Sequence, residues 1–147
     1  MDETNRSQYG FASVERLSVG SGVREAIGAD AESLAEGLRS LGWRVYVLSR
    51  DIIDGHSFFT SIRATTPLDP PQVCYGEWNA LDGCLWKGLY ESDDDPIAIV
   101  WPRTRAMAEA VPDEYEDARG MLANVARGLG DPEPTLDQPK TLMVVLT

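Results

Sequence analysis

Placed 100° apart on a helix, Asn79, Asp82, Gly83, Trp86 and Tyr90 fall together on one side. Two aromatic rings, an amide and a carboxylate in one stripe make neither an ordinary core face nor an ordinary solvated one. Such a stripe suits recognition of another protein, with Trp and Tyr supplying anchoring area. It equally suits a structural role, in which Trp86 and Tyr90 cover an edge of the core or the N-terminal segment. Charge bears on the first reading. From Asp69 to Asp95 the acidic residues are Asp69, Glu77, Asp82, Glu91, Asp93, Asp94 and Asp95, against Lys87 alone, so more than half of the net charge of -11 surrounds this stripe. An acidic surface repels phosphate backbones and speeds encounter with a basic protein. The plainer role of excess carboxylate is solubility.

Most catalytic chemistry is excluded by inventory. The single histidine, His56, stands at the start of an expected helix, where a surface or capping role is expected. Two cysteines, Cys74 and Cys84, with one histidine do not make a structural zinc site, and no H-E-x-x-H occurs. A G-x-S-x-G elbow and a Walker phosphate loop are absent too. The run Val19-Gly20-Ser21-Gly22-Val23-Arg24-Glu25 lacks the third glycine of a dinucleotide fingerprint and follows no convincing strand, so it reads as a flexible turn. Asp93–Asp95 lack the alternating spacing of a calcium loop and read as a solvated turn. The expectation is a protein without catalytic residues, metal or cofactor.

A chain of 147 residues suits one domain with a real core. The polar start, Met1-Asp2-Glu3-Thr4-Asn5-Arg6, lacks the apolar segment of a signal peptide, and no apolar run reaches the ~20 residues of a membrane helix. A soluble cytoplasmic protein with free thiols and no membrane contact is expected.

Several elements must position the stripe. Residues 1–28 read as an N-terminal extension, a tail or peripheral segment, and 29–147 as the folded domain. A helix is expected over Ala29–Leu41, capped by Asp30, with Leu34, Leu38 and Leu41 on one face and Gly42 as its stop. Trp43–Leu48 follows as a β-prone run suited to a covered central strand. Asp54 or Ser57 caps a short helix with Phe58, Phe59 and Ile62 inward, ended at Thr65-Thr66-Pro67. The stripe helix spans about Gly76–Leu89, with Trp78, Leu81, Leu85, Gly88 and Leu89 inward and Cys84 at the margin. Pro96–Trp101 is a second covered strand, and Arg103–Ala110 a short helix. Asp113, with Glu116 in a capping box, opens a longer helix whose stripe is Tyr115, Ala118, Leu122, Val125 and Leu129. A Pro-rich loop over Asp131–Lys140 leads to a last strand, Thr141–Leu146. Strands alternating with helices imply an α/β fold with a small three-stranded parallel sheet and right-handed crossovers.

At Tyr75-Gly76-Glu77-Trp78-Asn79-Ala80-Leu81-Asp82-Gly83-Cys84-Leu85 the chain resembles the barstar family. The family hallmark is a tyrosine–glycine or phenylalanine–glycine pair leading into a helix patterned Asn-(Leu/Trp)-Asp-Ala-Leu-x-Asp-Cys-Leu. The order of the following strand ending in Trp101, the long helix and the final Val-Val-Leu strand is also similar, so the resemblance covers residues 43–147. It implies a two-layer α/β sandwich that blocks the active site of a basic secreted ribonuclease or related toxin with this helix and the loop before it. By position, the partner-binding residues it implies are Tyr75, Glu77, Asn79, Asp82, Gly83 and Trp86. Three positions depart from the pattern: Asn79 and Gly83 replace the family's aspartates, Gly83 at the main anchor, and Arg127 stands where a glutamate is expected. The resemblance therefore implies one of two roles. One is an inhibitor or immunity protein for a nuclease; the other is a non-inhibitory interaction domain that keeps the fold without the nuclease-binding residues.

Overall fold

Two short apolar runs, Ile97–Trp101 and Leu142–Leu146, are buried at every residue, which only the centre of a sheet covered on both faces allows. A computed structural model describes residues 19–71 and 75–147. In chain order the elements are β1 (Gly22–Glu25), α1 (Ala31–Ser40), β2 (Arg44–Val47), α2 (Gly55–Thr65), α3 (Trp78–Glu91), β3 (Ile97–Trp101), α4 (Thr104–Ala110), α5 (Pro112–Gly130) and β4 (Leu142–Leu146). The sheet is wholly parallel, ordered β1-β4-β3-β2.

Alternation along the strands sorts the core into two parts. Ile97, Ile99, Trp101, Leu142, Val144 and Leu146 face a large cluster with α2, α3, α4 and α5. Ala98, Val100, Met143 and Val145 face the other way and meet Leu34, Ala35 and Leu38 of α1. Connectivity explains the division. The steps β2 to β3 and β3 to β4 cross the sheet in one direction, whereas β1 to β2 returns across it. Right-handed crossovers then require α1 on the face opposite the other helices.

Four strands stand where three were expected. The run read as a flexible turn contains β1, paired along its length with Met143–Leu146 of β4. It also belongs to the segment set aside as an N-terminal extension, so the sheet begins before residue 29. Its four residues carry no pattern strong enough to announce a strand; pairing with a buried neighbour makes them one. The other correction on the sheet is β2, which is an edge strand rather than a central one, with Val45 buried and Tyr46 and Val47 half-buried. Residues 1–18 of the extension, and Cys74, lie outside the described residues. Cys84 is a buried free thiol.

Helix starts follow local chemistry. Asp30 accepts from the Ser33 N–H at 3.1 Å. Asp54 and Ser57 act together rather than as alternatives: the Asp54 carboxylate accepts from the Ser57 N–H at 2.8 Å, and the Ser57 hydroxyl accepts from the Asp54 N–H at 3.1 Å. The capping box expected at Asp113 and Glu116 does not form. Pro112, pre-set for a first helical turn, starts α5 two residues earlier, with Val111 at the N-cap and Asp113 already inside the helix.

Candidate functional site: the face of helix α3

The inward side of α3 is the expected one: Leu81, Cys84, Leu85, Gly88 and Leu89 are buried. Trp78 is half-buried, its ring 4.7 Å from Phe59 and 5.9 Å from Phe58. Gly88 has a specific role. A Cβ there would lie 1.8 Å from the Pro67 carbonyl oxygen, so only glycine lets the backbone after α2 pass so close to α3. Just beyond, the Asp69 N–H donates to the Cys84 carbonyl at 3.0 Å, laying the loop along the helix.

The remaining stripe divides in two. Asp82, Trp86 and Tyr90 are half-buried against α5 and the loop after it, whereas Asn79 and Gly83 are exposed with Ala80 and Lys87. Trp86 and Tyr90 stack at 4.9 Å with an interplanar angle of 10°. Trp86 lies on the bare backbone of Gly128, where an added Cβ would be 3.1 Å from its ring, and the Tyr90 hydroxyl donates to the Thr135 carbonyl at 2.9 Å. These rings thus cover a seam of the core. Sequence periodicity places the residues around α3 but carries no information about where α5 crosses it.

Asp82 sits in the same seam. Burial pushes its carboxyl pKa up, opposed by a hydrogen bond with Asn124 and attraction to Arg127. Arg127 in turn donates to Asn124 Oδ1. Asp82, Asn124 and Arg127 therefore form one polar group spanning α3 and α5. Lys87 is held 3.5 Å from Asp69. Asp69 also faces Glu91: their hydrogen bond holds the Asp69 carboxyl below its ordinary range and pushes Glu91 up.

What faces outward is small and uncharged from Asn79 to Gly83, with Lys87 and Glu91 beyond it and an acidic group and an aromatic ring at the start of α3. Gly76, at φ +90, takes the left-handed turn into the helix. Beside it Tyr75 and Glu77 are exposed, and Glu77 stands at an N-cap without a side-chain cap. Tyr75 reaches back across the fold: its hydroxyl donates to Glu114 Oε2 of α5 at 2.7 Å. That bond, foremost, raises the tyrosine pKa, because a neighbouring carboxylate disfavours the phenolate. The Tyr75 ring is edge-on to His56 and to Phe59, each at 5.6 Å. Glu114 was absent from the sequence-derived set. Its 39-residue separation from Tyr75 leaves no local signal by which to find it.

Of the six residues singled out from sequence, Tyr75, Glu77, Asn79 and Gly83 share the exposed side, and Asp82 and Trp86 turn towards α5. Among the described residues no group of three or more His, Cys, Asp or Glu is placed to hold a metal ion, and no helix is long and apolar enough to cross a membrane. In comparisons with protein-family models, with curated proteins and with solved structures, nothing matches the chain.

Proposed function

We propose that the protein is a barstar-like inhibitor or immunity protein that binds a basic ribonuclease or related toxin through the start and outer face of α3. The reading includes a barstar-like sandwich, a cytoplasmic location and the absence of a catalytic step. The observation that carries it is the surface running from Tyr75 through Glu77 and Asn79 to Gly83. It is exposed and acidic at one end, and small side chains let a partner approach the helix backbone. Acidic complementarity would steer a cationic partner and make association fall with salt.

The test is co-expression with a panel of toxic secreted ribonucleases, scored by rescue of growth, followed by binding measurements at low and high salt. Rescue together with an on-rate that drops as salt rises supports the proposal. No binding at micromolar concentration across the panel refutes it. Gly83→Asp and Asn79→Asp sharpen the test. A carboxylate meeting a buried cation is worth about 2–5 kcal/mol, so restoring acids at these positions should tighten binding at least tenfold.

A second reading is a non-inhibitory interaction domain. The Asp82–Asn124–Arg127 group favours it, because Arg127 draws on the carboxylate nearest the lost anchor. Recovery of a housekeeping protein instead of a nuclease in a pull-down would select this alternative.

A further inference from the structure

A wholly parallel sheet collects the carboxyl ends of its strands on one edge, and here the chain leaves that edge in two directions. From β1 it passes to α1 on one face, and from β3 to α4 on the other, with β4 between the two strands. Loops that part in this way open a crevice beyond the strand ends, the usual place for a small ligand in such sheets. A cavity of about 250 Å³ lies there. Asp30 and Glu32 line it from the start of α1, Ser49 and Arg50 from beyond β2, Arg103 from beyond β3 and Thr147 from beyond β4. The rest of its lining is small or apolar, and none of it comes from α3.

The two arginines have no partners. Every other lysine and arginine among the described residues is engaged by a carboxylate, a carbonyl, an amide or another group. A chain with 24 acidic and 13 basic residues offers a carboxylate to every cation, yet the side chains of Arg50 and Arg103 have none, and both line this cavity. The acids beside them do not take them up. The Asp30 carboxylate accepts from the Ser33 N–H at 3.1 Å and from the Ser33 hydroxyl at 2.7 Å, and Glu32 is exposed. Nor does the backbone account for an arginine at position 103, because its φ of +57 suits glycine better.

Two guanidinium forks without partners suit a phosphate, whose oxygens accept paired N–H bonds from each. Glu32 and Ser49 can accept from hydroxyl groups, and the carboxylates disfavour a bare polyanion by repulsion. Size narrows the class further. Sites for drug-sized ligands hold roughly 300–1,000 Å³, so this cavity takes one phosphorylated sugar and not a dinucleotide. We propose that the cavity binds a small phosphorylated sugar, its phosphate held by Arg50 and Arg103 and its hydroxyls by Glu32 and Ser49. The site lies apart from α3 and does not depend on the protein's binding a ribonuclease.

The test titrates the full-length, isotope-labelled chain with ribose phosphate, esterified at the primary hydroxyl, and separately with adenosine monophosphate, inorganic phosphate and ribose, following amide shifts. Saturable shifts at Ala31, Glu32, Ser49, Arg50, Arg103 and Thr147 are expected for ribose phosphate, with affinity at least roughly fivefold above that for phosphate or ribose alone. Adenosine monophosphate shifting the same amides extends the class to nucleotides; its exclusion limits the class to free sugar phosphates, and the site stands in either case. Arg50→Gln and Arg103→Gln should each weaken ribose phosphate roughly tenfold, since each removes a charge-assisted pair. Arg103→Gly removes the guanidinium and relaxes the left-handed turn, so weaker binding without a lower melting temperature separates ligand contact from folding. Equal affinity for inorganic phosphate and ribose phosphate would mean an adventitious ion only, and overturns the proposal. So does the absence of a saturable shift up to about 10 mM, or an affinity unchanged in the arginine variants.

Discussion

The Lys140 ammonium donates to the Leu89 carbonyl at 2.9 Å, and to the Ser92 carbonyl as well, closing the C-terminal end of α3 from a loop 51 residues away in sequence. A helix end leaves carbonyls unpaired and partly negative, and a half-buried cation answers both. The same lysine's N–H donates to Leu129 O at 2.7 Å, so α3, the end of α5 and the approach to β4 meet at one residue. Lys140→Met keeps the aliphatic length and removes the donors. It should cost about 1–3 kcal/mol. Urea unfolding measures this, and a midpoint equal to wild type would show that water replaces the ammonium at no cost.

Two glycines in the same helix should respond oppositely to alanine. At Gly88 the new methyl meets the Pro67 backbone carbonyl, which is not the movable end of a side chain, so a loss of about 2–3 kcal/mol is expected. At Gly83 the methyl enters open space, and alanine's better helix propensity should add about 0.5–1 kcal/mol. Thermal unfolding of the two variants side by side checks the packing of α3 by sign alone.

Asp54→Ala removes the N-cap of α2 and should cost about 1 kcal/mol at neutral pH. The Ser57 backbone hydrogen bond, foremost, holds the Asp54 carboxyl below its ordinary value of 3.8. A folded-state pKa that is lowered contributes stability above the unfolded value and loses it as pH falls through the folded one. The difference between wild type and variant should therefore shrink on acidification below 3.8. A difference independent of pH would assign the effect to something other than the carboxylate.

Asp82 should behave in the opposite sense. Burial raises its pKa above 3.8, so the folded state favours the protonated form. The contribution is full below the unfolded value and is lost as pH rises through the raised one. Asp82→Asn should accordingly gain on wild type as pH climbs through that window, modestly because the group is only partly buried. Unfolding free energies of both proteins across the acidic range test it; a relative loss for the variant on raising pH would mean that attraction to Arg127 outweighs burial.

Local pattern alone determined the α/β class, the strands expected at Pro96–Trp101 and Thr141–Leu146, the inward side of α3 and a cap for α2 at Asp54 or Ser57. In each, information lies within a few residues: an unbroken apolar run, a helical period, a capping residue. Tertiary structure decided what local pattern does not encode. β1 exists because β4 offers it a partner, and Pro112 overrides the cap at Asp113. The stripe from Asn79 to Tyr90 has one side by periodicity, but α5, crossing at Gly128, takes Asp82, Trp86 and Tyr90 into a seam and leaves Asn79 and Gly83 outside. The pairing of Tyr75 with Glu114 is the extreme case, because a hydrogen bond across 39 residues is a property of how helices pack and not of any run of sequence.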